Sequence, residues 1–276
     1  MKIRIAVLGF CIIWAISAFG QMVSSRMGPE GQITTTMTFG NNGIPHMIPP
    51  ISGAPYSATQ INLRIQMLQD GTKVTSDGPV MHLYRDEAGR TCTERPLQLP
   101  SNMKNPPYIA EINDTVANQK IVLDPVNRVA HRIAMPPAPE KLRDVLEANL
   151  SGAPFQVVGD SDEPGSNNRF ESTTEQLGQK AIDGLVVVGS RISQIIPVGA
   201  MRNDRPFTIT TEFWVSPELK MPVYTKTSDP RLGEMLIILK DISRAEPDAA
   251  FFQIPKDYQV IDETGPLTIS VTIPQK

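Results

Sequence analysis

Alternation of apolar and polar residues is the clearest pattern in the chain, and it begins at position 61. Every second residue is apolar from there, with polar residues between; the apolar set is Ile61, Leu63, Ile65 and Met67. A period of two predicts a β-strand with one buried and one solvent-facing side. Asp70-Gly71 follows, a dipeptide that accepts the positive φ of a tight turn, so Thr72–Ser76 should return antiparallel.

Further strand-like segments continue along most of the chain, separated by turn residues. They are Val80–Arg85, Thr91–Arg95, Tyr108–Ile112, Lys120–Leu123, Arg128–Ala134, Arg169–Gln176, Leu185–Ile196, Phe207–Val215, Met221–Thr227 and Met235–Ile242. Met235–Ile242 has apolar residues at both odd and even positions, which predicts a central strand covered on both faces. Leu267–Ile273 alternates again and predicts an edge strand or a loose end. The fold class expected is mainly β (α+β), a curved antiparallel sheet or half-barrel.

One helix is expected, at Glu140–Leu150. Its apolar residues fall on one stripe, with charged residues elsewhere; the stripe is Leu142, Val145, Leu146 and Leu150. Pro139 suits the first turn, and Gly152 suits the left-handed stop. We expect this helix to pack with its stripe against the sheet.

Residues 1–20 have the order of a secretory signal. Lys2 and Arg4 precede the apolar run Ile5–Ala18, and small residues follow it, so cleavage is expected before Gln21. The sequence therefore predicts export to the periplasm or the extracellular space. An uncleaved signal anchor is the alternative, with membrane contact only through residues 1–23, because a span needs about 20 apolar residues.

Proline and glycine divide the remainder of the chain. Residues 21–56 end in the proline-rich run IPHMIPPISGAP and predict a disordered lead. Residues 57–260 predict a single β-rich domain, with an internal boundary expected at the polar loop 161–168. Residues 261–276 predict a C-terminal tail.

Charge and cysteine content narrow the classes of function. Without Lys2 and Arg4, the 26 basic residues fall to 24 against 29 acidic ones, a net charge of −5. An interspersed acidic balance does not favour nucleic acid, which selects clustered Lys and Arg. Cys11 leaves with the signal, so Cys92 is alone and no disulfide is expected. Its strand context favours a packed thiol over a reactive one.

No motif for catalysis or metal binding occurs in the sequence. His46, His82 and His131 show no metal-ligand spacing, and His131 shares the apolar side of its strand, which is typical of a hydrogen-bonded structural histidine. Nucleophile elbows and phosphate-binding glycine loops are missing. We therefore expect no catalytic residues, no metal and no cofactor. A separated carboxylate pair of the glycosidase type stays open among 29 acidic residues.

Trp214 is the weak candidate for a ligand-binding residue. It falls with Thr208, Thr210 and Glu212 on the polar parity of the strand Phe207–Val215, opposite the apolar set. A large aromatic side chain there indicates a cavity or a partner site. The alternative is an indole covered by a loop or by the helix.

Several segments resemble a family of secreted bacterial proteins of unknown function. The resemblance spans residues 53–260 and departs from the pattern at 96–107; its segments are GAPYSATQ (53–60), LQDGTKV (68–74), YRDEAGRT (84–91), VLDPVNRVAHR (122–132), LGQKAIDGLVVVGSR (177–191), WVSPELKMPVYTKTSDPRLGE (214–234) and EPDAAFFQIPKDYQV (246–260). The order of strands, ending in this last segment, more distantly resembles the periplasmic lipoprotein-carrier (outer-membrane lipoprotein sorting) half-barrel fold. That resemblance implies a half-barrel over 57–260 with an apolar concavity, and it assigns no ligand-contacting residue.

Three functions follow as hypotheses. The first is a secreted or periplasmic non-enzymatic protein that binds a lipid, a lipoprotein or another apolar ligand. The second is an envelope protein-interaction or sensory domain whose sheet is filled by its own side chains. The third is a hydrolase. Expected partners are an apolar ligand or an envelope protein, without nucleic acid.

Overall fold

The computed structural model describes residues 21–27, 33–39, 47, 49–97, 107–140, 144, 170–265 and 267–273. These residues are mostly β-strand, as predicted. In chain order the strands are β1 (Gln21–Met27), β2 (Ile33–Phe39), β3 (Tyr56–Met67), β4 (Lys73–Asp77), β5 (Met81–Arg85), β6 (Thr91–Pro96), β7 (Tyr108–Asp114), β8 (Gln119–Asp124), β9 (Val129–Ala134), β10 (Glu171–Ile182), β11 (Leu185–Ile196), β12 (Phe207–Ser216), β13 (Met221–Asp229), β14 (Gly233–Ser243), β15 (Gln259–Glu263) and β16 (Leu267–Ile273). A 3₁₀ helix, Ala249–Phe252, precedes β15.

The chain divides into two compact units that interleave in sequence. The first unit comprises the described residues of Tyr56–Val80 and Pro139–Arg244. The second comprises the described residues of Ala15–Pro55, Met81–Ala138 and Ala245–Lys276. The predicted single domain 57–260 stays a prediction.

The first unit is an antiparallel array in the order β10-β11-β12-β13-β14-β3, with β4 paired to β3. Two of its turns follow the sequence prediction. The β3–β4 turn places Gly71 at φ 86°, and the β10–β11 turn places Asp183 and Gly184 at φ 48° and 73°. Glycine adopts this left-handed region without a steric cost, and aspartate tolerates it.

The second unit contains two sheets. One has the order β1-β2-β16, and the other has the order β5-β6-β7-β8-β9-β15, with β15 parallel to β9. One face of the larger sheet packs against β16 through a buried cluster, Leu97, Ile109, Val122, Leu267 and Ile269. The opposite face packs against the 3₁₀ helix through Cys92, Ile112, Ile121, Leu123, Ala130 and Phe252.

Residues 21–56 differ from the expected disordered lead, because β1 and β2 lie within them. β2 pairs with β1 on one side and with β16 on the other. Hydroxyl pairs reinforce this second pairing, at 2.9 Å between Thr34 and Thr272 and at 3.1 Å between Thr36 and Ser270. The prediction extended the effect of the prolines, which begin at Pro45, to a threonine-rich strand before them. Of the expected tail, Leu267–Ile273 forms the edge strand β16.

Two predictions of burial were wrong in part. On β3 the buried positions are Tyr56, Ala58 and Gln60, whereas Met67 is 66% exposed. The predicted central strand Met235–Ile242 does lie between β13 and β3 as part of β14. However, Met235 on one face is 49% exposed and Lys240 on the other face is exposed, so neither face of this strand is covered along its whole length.

The expected signal (residues 1–20) and the expected boundary at 161–168 lie outside the described residues. Of the expected helix 140–150, Glu140 and Asp144 are described, and both are helical. No α-helix packs on a sheet within the described residues, so this part of the expected architecture is not supported.

Candidate functional site

Five aliphatic side chains lie together on one face of the first unit and are only half-buried. We call them the aliphatic strip: Ile61, Leu63 and Ile65 of β3 with Leu236 and Ile238 of β14. Ile61 stands opposite Ile238, and Leu63 stands opposite Leu236. Directly opposed residues of an antiparallel pair share a face, with Cβ atoms about 4.5–5.5 Å apart. The strip is therefore one continuous apolar surface.

The opposite face of the same strands carries more of the buried side chains. Phe213 stands opposite Thr225 and both are buried, as are Leu239 and Gln60, which are also opposed. On β12 the odd positions include the buried residues Thr211, Phe213 and Val215, as the alternation predicts. The two faces therefore differ in coverage, and the aliphatic strip lies on the less covered one.

A row of cross-strand partners extends the strip toward Trp214. Ile238 stands opposite Tyr224, Tyr224 opposite Trp214, and Trp214 opposite Gly189. The aromatic rings thus continue the surface that begins at Ile61. The sequence-predicted candidate residue lies at the end of this row.

Trp214 is covered by neighbouring strands. Its indole lies over Gly189 of β11, where an added Cβ would stand 2.6 Å from the ring. The Lys180 ammonium of β10 lies 3.6 Å from the centre of the Trp214 ring and 5.5 Å from that of Tyr224. Trp214 is 8% exposed, and its Nε1 has no hydrogen-bond partner within the described residues. We call Lys180, Trp214 and Tyr224 the donor cluster.

An ion-pair ladder borders this row on the same face. Arg191 donates to Glu212 at 2.7 Å and to Glu175 at 2.8 Å. Lys226 pairs with Glu234 at 2.6 Å. Glu212 stands opposite both Arg191 and Lys226, so the ladder crosses the sheet two residues along β12 from Trp214 and on the same face. It gives the aliphatic strip a polar border.

Burial raises the pKa of Tyr224 above its ordinary value, and the neighbouring carboxylates Glu212 and Glu234 add to this effect against Lys226. The phenol is therefore protonated at neutral pH and presents an O–H donor. It offers no anionic nucleophile there.

The second unit holds a buried charge cluster of a different kind. Glu111 accepts from Arg95 and pairs with Lys120, at 2.6 Å and 2.7 Å. Burial alone would raise the pKa of Glu111, but the two cations outweigh it and lower this pKa to about 2. Burial lowers the pKa of Lys120. Ion pairs of this kind fix the packing of a sheet without needing a catalytic role.

The predicted structural histidine is confirmed. His131 is 8% exposed, and its Nδ1 lies 2.7 Å from Glu263 Oε1, across the parallel β9–β15 pair. His82 lies on β5, with its ring 5.7 Å from that of Tyr108. His46 lies outside the described residues.

The predicted packed thiol is also confirmed. Cys92 is 1% exposed, and burial raises the pKa of its thiol to about 12, with further contributions from Glu94 and Glu111. A neutral buried thiol is a poor nucleophile.

Within the described residues, no group of three or more His, Cys, Asp or Glu side chains is placed to hold a metal ion. The same residues contain no helix long and apolar enough to cross a membrane. The expectations of no metal, no cofactor and no catalysis stay predictions.

Sequence reasoning missed Lys180 and Gly189. Their proximity to Trp214 depends on the register of three strands, and a bulge between Gln176 and Gly178 shifts that register. In the sequence, the site was indicated by Trp214 itself, an aromatic residue at a strand position where the alternation predicts a polar side chain.

The described part of the chain is thus mainly antiparallel β-sheet, and it carries the half-buried aliphatic strip next to the aromatic side chains of Tyr224 and Trp214. Solved structures similar to it include the complex of Pseudomonas aeruginosa MucA and MucB, at a TM-score of 0.37 and 9% identity over 76% of this chain. A LolA superfamily protein from Nitrosomonas europaea has a TM-score of 0.29 and 9% identity, covering 74% of this chain and 92% of that one. LprF from Mycobacterium bovis has a TM-score of 0.28 and 14% identity, covering 75% and 91%.

The match spans 56% to 60% of the chain in three MucB structures. No family model matches the chain, and no curated protein matches it. The half-barrel and the resemblance to secreted bacterial proteins of unknown function stay predictions.

Proposed function

We propose that this protein is a non-catalytic binding protein that holds an apolar ligand, such as an acyl chain, a lipid or a lipoprotein, against the aliphatic strip. One observation carries the proposal. Five aliphatic side chains of a central strand pair, Ile61, Leu63, Ile65, Leu236 and Ile238, are only half-buried. Contiguous apolar surface of this kind marks ligand or partner sites.

The energy available on the strip fits reversible binding. Full burial of an aliphatic side chain is worth about 1.5–3 kcal/mol, so completing the burial of five half-buried ones contributes about 4–8 kcal/mol. That range corresponds to a Kd between about 1 mM and 1 µM. The ligand's own buried area adds to this figure, and the entropy cost of association reduces it.

The shape of the strip favours an extended ligand. Ile61 to Ile65 spans four residue steps of β3, about 13 Å at the usual rise of a strand. A chain lying along β3 and β14 would contact both rows of aliphatic side chains. Export, which residues 1–20 predict, would place this binding outside the cytoplasm.

The experiment compares uptake of an apolar fluorescent dye by the wild type, Leu236→Asp and Val186→Asp. Val186 is 61% exposed on β11 and lies off the strip, so it is the matched control. We expect saturable uptake by the wild type and by V186D, and a loss of about tenfold or more for L236D. Mass spectrometry of purified protein should also find co-purified lipid. Absence of both lipid and dye uptake would refute the proposal.

An envelope protein-interaction or sensory role is the second candidate, and the second unit favours it. Both faces of its larger sheet are filled by the chain's own side chains, Phe252 on one face and Leu267 with Ile269 on the other. In the described part of this unit, the chain's own side chains therefore occupy both faces of the sheet at these two clusters, which favours a protein partner over a small ligand. Crosslinking in intact cells should then recover a specific partner, and failure to recover one counts against this role.

A hydrolase is the third candidate. The arrangement of the described residues gives it less support than binding, since the buried carboxylate Glu111 is neutralised by two cations.

A further inference from the structure

We propose that the donor cluster, Lys180, Trp214 and Tyr224, binds the anionic head group of the ligand, a carboxylate or a phosphate ester joined to an acyl chain. This inference rests on the proposed function, because it assigns the polar end of a ligand whose chain lies on the aliphatic strip.

The charge at this place comes from Lys180. Its side chain is exposed, and its ammonium is held over the faces of Trp214 and Tyr224. None of the ion pairs among the described residues includes Lys180. Aromatic faces attract a cation without neutralising its charge, so this ammonium is positioned and still able to pair with an anion.

Three carboxylates on the same face, Glu175, Glu212 and Glu234, are already paired with other cations. Arg191 binds Glu175 and Glu212, and Lys226 binds Glu234. A ligand anion at Lys180 therefore does not have to displace a carboxylate of the protein.

The two aromatic residues that the ammonium contacts each carry a further donor. The Trp214 Nε1–H is buried and has no acceptor in the described part of the chain. A buried donor without an acceptor is unfavourable, and indole N–H groups normally find one. Burial raises the pKa of Tyr224, so its hydroxyl stays protonated at neutral pH and can also donate. Three donors, one of them charged, fit a ligand that brings oxygen atoms.

The head group and the chain would be contiguous. Tyr224 stands opposite Ile238, and Ile238 stands opposite Ile61, so the donor cluster adjoins the aliphatic strip through one row of cross-strand partners. An anionic amphiphile has the same order of polarity, an oxyanion followed by methylene groups. A cationic head group would meet the Lys180 ammonium, which would repel it.

The experiment measures the binding of three ligands with the same alkyl chain: dodecanoate, dodecyl phosphate and dodecanol, each below its critical micelle concentration. The full chain is compared with Lys180→Met, Lys180→Arg and Lys256→Met. K180M keeps the length of the side chain over Trp214 and removes the charge, whereas K180R keeps the charge. Lys256 is exposed in the second unit, so K256M is the control for loss of one charge.

We expect K180M to weaken the binding of the anionic ligands about tenfold, the usual size of one charge-assisted hydrogen bond, and to leave dodecanol unchanged. K180R and K256M should bind all three ligands like the wild type. Comparison of dodecanoate with dodecyl phosphate then separates a fatty acid from a phospholipid head group. Equal binding of anions and alcohol, unaffected by K180M, overturns this inference and leaves the proposed function standing. Failure of all three ligands to bind overturns the proposed function itself.

Discussion

Gly189 lies directly beneath the indole of Trp214. A Cβ at position 189 would stand 2.6, 2.7 and 2.8 Å from three carbons of the six-membered ring, closer than real Cβ atoms approach their neighbours. The two residues are cross-strand partners on β11 and β12. The position of the indole, and with it the end of the aromatic row, therefore depends on the absence of a side chain at 189.

Gly189→Ala should destabilise the first unit by about 1–3 kcal/mol, the usual cost of forcing extra volume into a packed site. The sign is informative, because alanine otherwise stabilises a strand interior by about 0.5–1 kcal/mol relative to glycine. Urea unfolding followed by Trp214 fluorescence, in a Trp14→Phe background, measures the change.

Two control variants separate the clash from other effects. Gly178→Ala meets no atom within 4 Å and strains only a backbone at φ 80°, so its cost should be independent of Trp214. The cost of G189A should disappear when Trp214→Ala is also present. Unfolding of the two double variants, G189A/W214A and G178A/W214A, is followed by circular dichroism. If G189A costs the same in both backgrounds, the predicted contact with the indole is wrong.

Glu111→Gln should reduce stability at neutral pH by about 3–5 kcal/mol, because it removes the buried carboxylate that contacts both Lys120 and Arg95. The matched control is Asp262→Asn, which removes the exposed ion pair with Arg132 and should change stability far less. Chemical unfolding at pH 7 distinguishes the two effects.

The same carboxylate predicts a pH dependence. The pKa of Glu111 is lowered in the folded state to about 2 from an unfolded value of 4.5, so its stabilisation is complete above about pH 5.5. It is lost as the pH falls from about 4.5 through 2, and it amounts to about 2–4 kcal/mol. The difference in unfolding free energy between wild type and E111Q should therefore shrink over that window. A difference independent of pH would contradict the assignment.

Phe252→Ala should destabilise the second unit by about 3–5 kcal/mol, because this side chain is 3% exposed and fills the cluster around Ile112 and Ile121. Phe251 is the internal comparison. It is half-buried and stacks on Tyr84 at 3.9 Å between ring centroids, so Phe251→Ala should cost less. Equal costs for the two variants in urea unfolding would contradict the packing described for the 3₁₀ helix.

The Cys92 thiol should resist modification by a disulfide reagent at pH 8 in a Cys11→Ala background. Burial raises its pKa to about 12, so little thiolate exists at that pH, and the sulfur is also shielded. Urea above the unfolding midpoint should release one reactive thiol. Rapid modification without denaturant would show that the second unit opens or that Cys92 is not packed.

Strand positions were largely predictable because they depend on local alternation and turn residues. β11, Leu185–Ile196, has the limits that the sequence indicated, and the turn at Asp183-Gly184 lies where expected. The pairing of β2 with β16, more than 200 residues away, was not predicted. Pairings at such a separation leave no local signal.

The burial of each face was less predictable than the strand itself. On β3 the alternation predicts burial of the odd positions, but Met67 is exposed and the even positions Tyr56 and Ala58 are buried. Coverage of a face is decided by what packs on it from elsewhere in the chain. The same reason applies to the site, where Trp214 could be selected from its parity while Lys180 could not.

Quenching of Trp214 fluorescence by a bromine-labelled acyl chain, in Trp14→Phe protein, tests the central claim most directly. Trp214 ends the row that begins at Ile61, so a chain bound on the aliphatic strip brings bromine close to its indole. The account predicts saturable quenching that unlabelled chain reverses and that Leu236→Asp abolishes. Quenching that never saturates, or that persists undiminished in L236D, would contradict it.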